Sequence, residues 1–225
     1  MGNLQTYSCI VDPFQVCKNP ETTSTSSPSK KKSGSGEFDD VSRACFGAGC
    51  YWGTEKFFKH TYPGWRSVVD GEVGFMGPLT AKANPSYEEV CRGDTGHVEV
   101  LELTYQGGDQ TFEELVRFFF QFHDPTTPAR QGNDKGSQYS SVIYYYTPQQ
   151  KMIAMKVKAE LQDLINNGKI DCFVEKNVCT EITKATVFYA AQDEHQEYLM
   201  KNPRGYCNHR LRFKAWPDQM QLVDQ

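Results

Sequence analysis

The chain has 225 residues, 38% of them hydrophobic, which is enough for one packed domain with a tail. Its net charge of -4 gives no electrostatic basis for binding nucleic acid, because phosphate-binding surfaces need an excess of Lys and Arg. No apolar run approaches the roughly 18 residues of a membrane span, and no signal peptide is recognisable. Eight cysteines without an export signal therefore predict free thiols in the cytoplasm rather than a secreted disulfide framework.

The N-terminal part differs in composition from the rest of the chain. Residues 21–37 are mainly Ser, Thr, Pro, Gly and Lys without hydrophobic periodicity, so they cannot bury enough apolar area to offset the entropy of ordering. We predict a disordered extension over residues 1–42. A single folded domain is then expected over residues 43–225, with a flexible tail from about residue 200.

The first six residues, Met1-Gly2-Asn3-Leu4-Gln5-Thr6, fit the pattern for N-myristoylation of Gly2. A single myristoyl chain anchors only marginally, and Lys30, Lys31 and Lys32 are a weak second signal, so any membrane association would be weak. A solvated tail that happens to begin Met-Gly is an equal alternative.

The predicted elements follow the order β-α-β-β-α-β, with a further helix behind them. They are a strand at 44–48, a helix that begins at Thr54 and ends before Pro63, strands at 67–74 and 97–105, a helix at 111–122 that opens like a capping box, a strand at 141–146, and a helix that Thr147-Pro148 caps and that runs to about residue 165. This order predicts an α+β two-layer sandwich with a ferredoxin-like core, two helices lying on one face of a mixed sheet. Residues 76–96 are a predicted loop, and a long irregular segment is expected at the C-terminal end.

Cys50 lies where the first predicted strand turns into a helix, in the segment Gly49-Cys50-Tyr51-Trp52-Gly53. Backbone N–H groups and the dipole at a helix start favour an anion, so we expect a lowered thiol pKa and a nucleophilic cysteine. The flanking glycines allow a sharp turn and the close approach of a substrate. An inert buried cysteine is the alternative, and it suits Cys45, inside the strand, better.

Two further features near Cys50 bear on its chemistry. Tyr51 and Trp52 are expected to be partly exposed and to form an apolar wall for a methyl or thioether group, with core packing as the alternative. In the strand at 97–105 the two-residue period places Glu99 on the same face as two leucines. A carboxyl there would have a raised pKa and act as a proton donor near neutral pH; the alternative is a glutamate that reaches solvent.

Five ordered motifs resemble the A-type peptide methionine sulfoxide reductases over roughly residues 44–207. They are Gly49-Cys50-Tyr51-Trp52-Gly53, Asn84-Pro85-Ser86-Tyr87, Gly93-Asp94-Thr95-Gly96-His97-Val98-Glu99, His123-Asp124-Pro125-Thr126 and the stretch from Gln131 to Tyr139. Tyr51 stands where the family pattern has Phe, which adds a hydroxyl to the expected pocket. The resemblance implies reduction of the S epimer of methionine sulfoxide, protein-bound or free, without a metal or other cofactor.

The resemblance also implies a role for each site residue. Cys50 would attack the sulfoxide sulfur and become a sulfenic acid, while Glu99 protonates the oxygen. The residues implied to assist are Tyr51 and Trp52, which would hold the substrate methyl group, Tyr87 and Tyr139, which would donate hydrogen bonds, and Asp134, which would support the network.

Cys207 resembles the cysteine that recycles the family's enzymes. It would condense with Cys50 to a disulfide that thioredoxin then opens. Residues 208–225 contain no further cysteine, so a relay to a second C-terminal thiol is excluded. Cys172 and Cys179 are alternative resolving residues, and they may equally be structural. A monomer is the default expectation.

Two rival hypotheses stay open at the level of sequence. A cysteine hydrolase would combine Cys50 with His97 or His195 and an acid such as Asp134. A non-catalytic module would bind oxidised methionine and keep Cys50 as a structural residue. A thioredoxin-type oxidoreductase is disfavoured because the chain has no Cys-x-x-Cys, and a zinc site is disfavoured because no second cysteine pair matches Cys172 and Cys179.

Overall fold

The computed structural model describes residues 41–216. The predicted N-terminal extension up to residue 40, with the proposed acylation at Gly2, lies outside the described residues, as do residues 217–225. Within the described part, no helix is both long and apolar enough to cross a membrane.

A six-stranded sheet flanked by helices confirms the α+β class. Its strands are β1 (Ser42–Ala48), β2 (Val68–Met76), β3 (Val98–Tyr105), β6 (Ser141–Tyr145), β7 (Glu181–Lys184) and β8 (Phe188–Ala190), and a separate hairpin pairs β4 (Arg130–Gln131) with β5 (Asp134–Lys135). The helices are α1 (Tyr51–His60), α2 (Tyr87–Cys91), α3 (Gly108–Phe122), α4 (Pro148–Asn166) and α5 (Tyr198–Lys201). The strand order is β7-β6-β1-β3-β2-β8, in which only the edge pair β6 and β7 is parallel.

Strand β1 lies in the middle of the sheet because its side chains are apolar on both faces. Phe46 pairs with Leu101 on β3 and with Ile143 on β6, and all three are fully buried in the core that faces the helices. Phe46 stacks on Phe58 of α1 and Phe119 of α3, with ring centroids 5.0 and 5.3 Å apart. This aromatic packing fixes α1, and therefore its first turn, against the sheet.

The helix boundaries differ from the predicted ones in three places. Helix α1 begins at Tyr51, three residues before Thr54, so its first turn includes the aromatic pair. Helix α2 falls inside the predicted loop and has a capping box in which Ser86 and Glu89 bond each other's backbone N–H. The capping box expected at the start of α3 is wrong, because that helix begins at Gly108 behind a left-handed Gly107. The predicted cap of α4 is confirmed, since the Thr147 side chain accepts from the Gln150 N–H.

Candidate active site

Cys50 is the N-cap residue of α1 and is 9% exposed. Its carbonyl oxygen accepts from the backbone N–H groups of Gly53 and Thr54, at 3.2 and 3.4 Å, which forms the first turn of the helix. The predicted position at a strand-to-helix turn is therefore confirmed, because β1 ends at Ala48 and α1 begins at Tyr51.

The electrostatic expectation for Cys50 is wrong in its net direction. Burial raises the pKa of the Cys50 thiol well above its usual value, and the negative charges of Glu99 and Asp134 raise it further. Backbone N–H groups of Trp52 and Gly53 lower the pKa, as a helix start should, but the loss of water outweighs them. The resting group is therefore a thiol held in a site that disfavours a second negative charge.

Glu99 reaches the start of α1 from β3. It is 2% exposed and lies on the helix-facing side of the sheet with Leu101 and Leu103, as the strand period predicted. Its Oε2 accepts from the backbone N–H of Tyr51 at 3.0 Å. The carboxyl group is thus bound one residue away from Cys50, out of contact with bulk water.

An aromatic cluster packs around the first turn of α1. Its members are Tyr51, Trp52, Tyr87, His195 and Tyr198, which contact one another with ring centroids 3.9 to 6.3 Å apart. Among the described residues, the Tyr51 hydroxyl, Trp52 Nε1 and His195 Nδ1 are buried and have no hydrogen-bond partner. Buried polar groups are normally paired, so these three atoms can bond a polar ligand.

The exposure predicted for the aromatic pair is wrong for Tyr51, which is only 1% exposed. Its ring packs against Phe75, with centroids 5.7 Å apart, as well as against the aromatic cluster. Trp52 is partly buried and stacks on Tyr198. Tyr51 therefore lies at the junction between the core and the candidate pocket.

Tyr87 and Tyr139 approach this region from two different segments. Tyr87 is the first residue of α2, is half-buried, and has its ring 4.2 Å from that of His195. Tyr139 ends a 3-10 turn, Ser137–Tyr139, that packs against β3, the strand that carries Glu99. The turn also packs against β4, which joins it to the hairpin that bears Asp134.

Asp134 bonds the C-terminal segment. Its Oδ1 accepts from the Tyr206 hydroxyl at 3.1 Å, and its Oδ2 accepts from the Asn208 side-chain amide at 2.9 Å. Burial raises the pKa of Asp134, while these two hydrogen bonds lower it. Both donors are neighbours of Cys207, so Asp134 and the predicted resolving cysteine belong to one structural unit.

Cys207 lies beside His209, with its Sγ 4.0 Å from the His209 Nδ1. The imidazole is hydrogen-bonded through Nε2 to the Ala48 carbonyl oxygen at 2.7 Å and fills the space over Gly53, where a Cβ atom would come 2.0 Å from Nδ1. Gly53 therefore makes room for a histidine side chain, whereas the sequence had led us to expect that it makes room for a substrate.

The geometry that a cysteine hydrolase needs is not found, because no histidine within residues 41–216 is hydrogen-bonded to the Cys50 sulfur. His195 belongs to the aromatic cluster, and His97 packs edge-on to Tyr189. The six described cysteines are free thiols, and residues 41–216 contain no group of three or more acidic, His or Cys side chains placed to hold a metal.

Sequence patterns did not identify Tyr198 as a member of the aromatic cluster, or Asn208 and His209 as the residues that hold the Cys207 segment. His209 and Asn208 reach it across 161 and 74 residues of chain, and only folding brings them close. One signal was present, since a glycine inside a helix start indicates that another group approaches the backbone closely.

Comparison with known proteins identifies relatives of the chain. The family model described as peptide methionine sulfoxide reductase matches residues 42–222. The peptide methionine sulfoxide reductase MsrA of Methanoculleus marisnigri is 43% identical over 167 residues, which are 74% of this chain and 94% of the relative. That of Methanococcus maripaludis is 40% identical over 158 residues, which are 70% of this chain and 91% of the relative.

Two solved structures resemble this chain. Mxr1 from Saccharomyces cerevisiae in reduced form has a TM-score of 0.67 and 37% identity, and the match covers 77% of this chain and 93% of that one. Methionine sulfoxide reductase A of Corynebacterium diphtheriae has a TM-score of 0.60 and 39% identity, with 74% of this chain and 77% of that chain covered.

Proposed function

The chain belongs to the peptide methionine sulfoxide reductase family, and from this membership we propose which of its residues carry the reaction. It reduces methionine sulfoxide to methionine by thiol chemistry. In our proposal Cys50 attacks the sulfoxide sulfur and Glu99 protonates the oxygen. The observation that supports this assignment best is the 3.0 Å hydrogen bond from the Tyr51 N–H to Glu99, which fixes a water-shielded carboxyl group beside Cys50.

The first half-reaction transfers the sulfoxide oxygen to Cys50. When the substrate enters, the Cys50 thiol passes its proton to the Glu99 carboxylate, and the Cys50 sulfur bonds the sulfoxide sulfur while Glu99 protonates the oxygen. The hydroxyl group then moves to the Cys50 sulfur as the bond between the two sulfur atoms breaks, so that methionine leaves and Cys50 becomes a sulfenic acid. Burial of Glu99 favours its neutral form, which is the form that can donate a proton. Tyr87 and Tyr139 donate hydrogen bonds to the oxygen in this proposal.

The aromatic cluster holds the substrate. Tyr51 and Trp52 offer ring faces to the methyl group, since thioether sulfur and methyl groups pack well on aromatic rings. The unpaired Tyr51 hydroxyl and His195 Nδ1 are available to bond polar atoms of the bound residue. We carry over the preference for the S epimer, and the use of protein-bound or free sulfoxide, from the family resemblance.

The second half-reaction restores Cys50. The Cys207 thiol attacks the sulfenic sulfur, water leaves, and a Cys50–Cys207 disulfide forms. Thioredoxin, a dithiol reductant, then opens the disulfide and becomes oxidised itself. The docking of residues 206–209 against the start of α1 through His209 supports Cys207 as the resolving residue.

The domain organisation and the finer fold description belong to the same proposal. One catalytic domain over residues 43–225 is supported by a hydrophobic core cluster that includes both Ala44 and Trp216. The ferredoxin-like description of the centre is supported by the antiparallel strand order β6-β1-β3-β2, with α1 and α3 as the connecting helices. Cytoplasmic location and a monomeric state remain expectations from the sequence.

Turnover with separated sulfoxide epimers tests the proposal. Wild type should reduce the S epimer with either dithiothreitol or thioredoxin, and Cys50→Ser should abolish reduction. Cys207→Ser should release one equivalent of methionine but lose cycling with thioredoxin. Matched variants Cys172→Ser and Cys179→Ser should cycle normally; loss of cycling in one of these, with Cys207→Ser unaffected, would overturn the resolving role. Hydrolysis of an ester substrate without sulfoxide reduction would favour the rival hydrolase.

A further inference from the structure

The contacts of Asp134 suggest a role distinct from support of the substrate network. Its two carboxylate oxygens accept from two different side chains of the C-terminal segment, Tyr206 at 3.1 Å and Asn208 at 2.9 Å. Cys207 lies between these donors in the chain. The Asn208 amide also donates to the carbonyl oxygen of Gln131 at 3.2 Å, and Gln131 is the residue that pairs with Asp134 in the hairpin. We call these three bonds the Asp134 latch.

The latch acts together with a second attachment point. His209 is held by the Ala48 carbonyl at 2.7 Å and sits over Gly53, so the chain just after Cys207 is bound to both ends of the strand-to-helix turn that contains Cys50. The chain just before Cys207 is held by the bond from Tyr206 to Asp134. Backbone bonds from Arg210 to Phe122 and from Arg212 to Gln121 hold the following residues. Cys207 is therefore fixed from both sides.

The latch also lies close to the nucleophile. The negative charge of Asp134 contributes to the raised pKa of Cys50, and Cys50 in turn contributes to the raised pKa of Tyr206. Asp134, Tyr206 and Cys50 thus lie within reach of one another's electric fields. The contacts around Cys207 therefore lie near Cys50.

We propose that Asp134 is a positioning residue for the resolving step, which holds Tyr206 and Asn208 so that the Cys207 thiol stays beside the Cys50 pocket. The inference rests on the proposed roles of Cys50 and Cys207. Cys207 is 157 residues from Cys50 along the chain, so bringing a free Cys207 thiol to Cys50 would cost loop-closure entropy. A thiol that the fold already holds in place reacts faster, because its orientational entropy is lost on folding and not in the reaction step.

The latch predicts a separation between the two half-reactions. Loss of the bonds to Asp134 leaves the Cys50 sulfur and the Glu99 carboxyl in place, so methionine formation should continue. Disulfide formation should slow by about tenfold or more, since a hydrogen bond to a carboxylate is lost at each of two sites. A sulfenic acid on Cys50 would then accumulate.

The decisive experiment compares wild type with Tyr206→Phe, Asn208→Ala and the double variant, all of which keep Asp134. A single turnover with methionine sulfoxide is followed by methionine release, by trapping of the sulfenic acid with a dimedone reagent, and by mass spectrometry of the Cys50–Cys207 disulfide. Methionine release should stay within about twofold of wild type, while disulfide formation slows in each single variant and most in the double variant. Tyr62→Phe is the matched control, because its hydroxyl bonds the Glu114 carboxylate at 3.3 Å elsewhere in the molecule.

Two results would overturn the proposal. Disulfide formation at the wild-type rate in the double variant would show that the latch does not position Cys207. An equal loss in methionine release would assign Tyr206 and Asn208 to substrate binding instead. If wild type itself forms no disulfide between Cys50 and Cys207, the proposed function fails at that step. If the double variant is unfolded at the assay temperature, the disulfide-formation rates of the two single variants test the proposal.

Discussion

At the scale of single residues, the pocket disfavours two negative charges side by side on Cys50 and Glu99. Burial raises the pKa of the Cys50 thiol, and the charge of a nearby Glu99 carboxylate raises it further. The two groups therefore do not both carry a negative charge, and they hold one proton between them. A substrate that enters the pocket meets this proton, which Glu99 can pass to the sulfoxide oxygen.

We expect Glu99→Gln to change Cys50 reactivity and sulfoxide reduction in opposite directions. Removal of the negative charge lowers the pKa of Cys50, because Glu99 acts in the raising direction, so iodoacetamide should alkylate Cys50 faster near neutral pH. Sulfoxide reduction should fall by roughly 100-fold or more, since the glutamine cannot donate a proton in the same way. Peptide mapping of the alkylated Cys50 and single-turnover methionine release measure the two quantities.

Glu102→Gln is the matched control, on the same strand as Glu99 but on its other face, where Glu102 accepts from the Tyr146 hydroxyl. It should leave both rates close to wild type. If Glu99→Gln slows alkylation and reduction together, Glu99 positions or activates the thiol rather than protonating the substrate. If reduction is unchanged, another group donates the proton.

At the scale of helices and strands, a cap ties α4 to the centre of the sheet. The Thr147 hydroxyl accepts from the Gln150 N–H at 3.1 Å. The Gln150 side chain then donates to the Arg43 carbonyl at 2.7 Å and to the Tyr105 hydroxyl at 3.1 Å. The cap therefore orients a buried side chain that links α4 to β1 and β3.

Thr147→Ala should lower the free energy of unfolding by about 1 kcal/mol, the usual cost of losing an N-cap side chain. Thr147→Ser keeps the hydroxyl and should lose much less. Urea unfolding monitored by circular dichroism measures both changes. Sulfoxide reduction should stay near wild type, because α4 lies away from Cys50 in the fold. An equal loss in the two variants would show that the threonine methyl group, not the cap, provides the stability.

Elements with a strong internal pattern were predictable, and those fixed by distant partners were not. The apolar run of β1 and the Thr147-Pro148 signal before α4 specify their elements locally. The edge strands β7 and β8 have only 4 and 3 residues, too few for an alternating pattern to show, and they form by pairing with strands already in the sheet. Ser86 and Glu89 are residue types typical of a capping box, but the surrounding Gly and Pro residues favoured a loop, so α2 was not predicted.

The candidate site divides in the same way. The choice of Glu99 as the acid came from the family resemblance, while the position of Cys50 at a strand-to-helix turn and that of Glu99 on a face with two leucines follow from local signals. The net direction of the Cys50 pKa does not, because it depends on burial by side chains far away in the chain. The contacts of His209 and Asn208 depend on the course of an irregular segment, for which the sequence has no periodic signal.

At the scale of the whole molecule, the distribution of methionines links the fold to the proposed substrate. Met76 is fully buried in β2 and accepts from the Thr186 N–H at 3.5 Å. Met152 and Met155 lie on the outer face of α4 and are 59% and 53% exposed, although a helix surface needs no apolar side chain there. Exposed thioethers are the ones that peroxide oxidises.

The exposed pair provides a folded, protein-bound substrate of known structure. Peroxide treatment of the Cys50→Ser variant, which cannot repair itself, should convert Met152 and Met155 to sulfoxides and spare Met76. A catalytic amount of wild type with dithiothreitol should then reduce roughly half of each sulfoxide, because peroxide produces both epimers and we propose that only one is a substrate. Peptide mass spectrometry measures the added oxygen at each position. In the control reaction, untreated Cys50→Ser replaces the catalytic wild type. If both sulfoxides persist in the folded variant but fall by roughly half once it is digested to peptides, folded helices are not substrates, and repair is restricted to unfolded or free methionine sulfoxide.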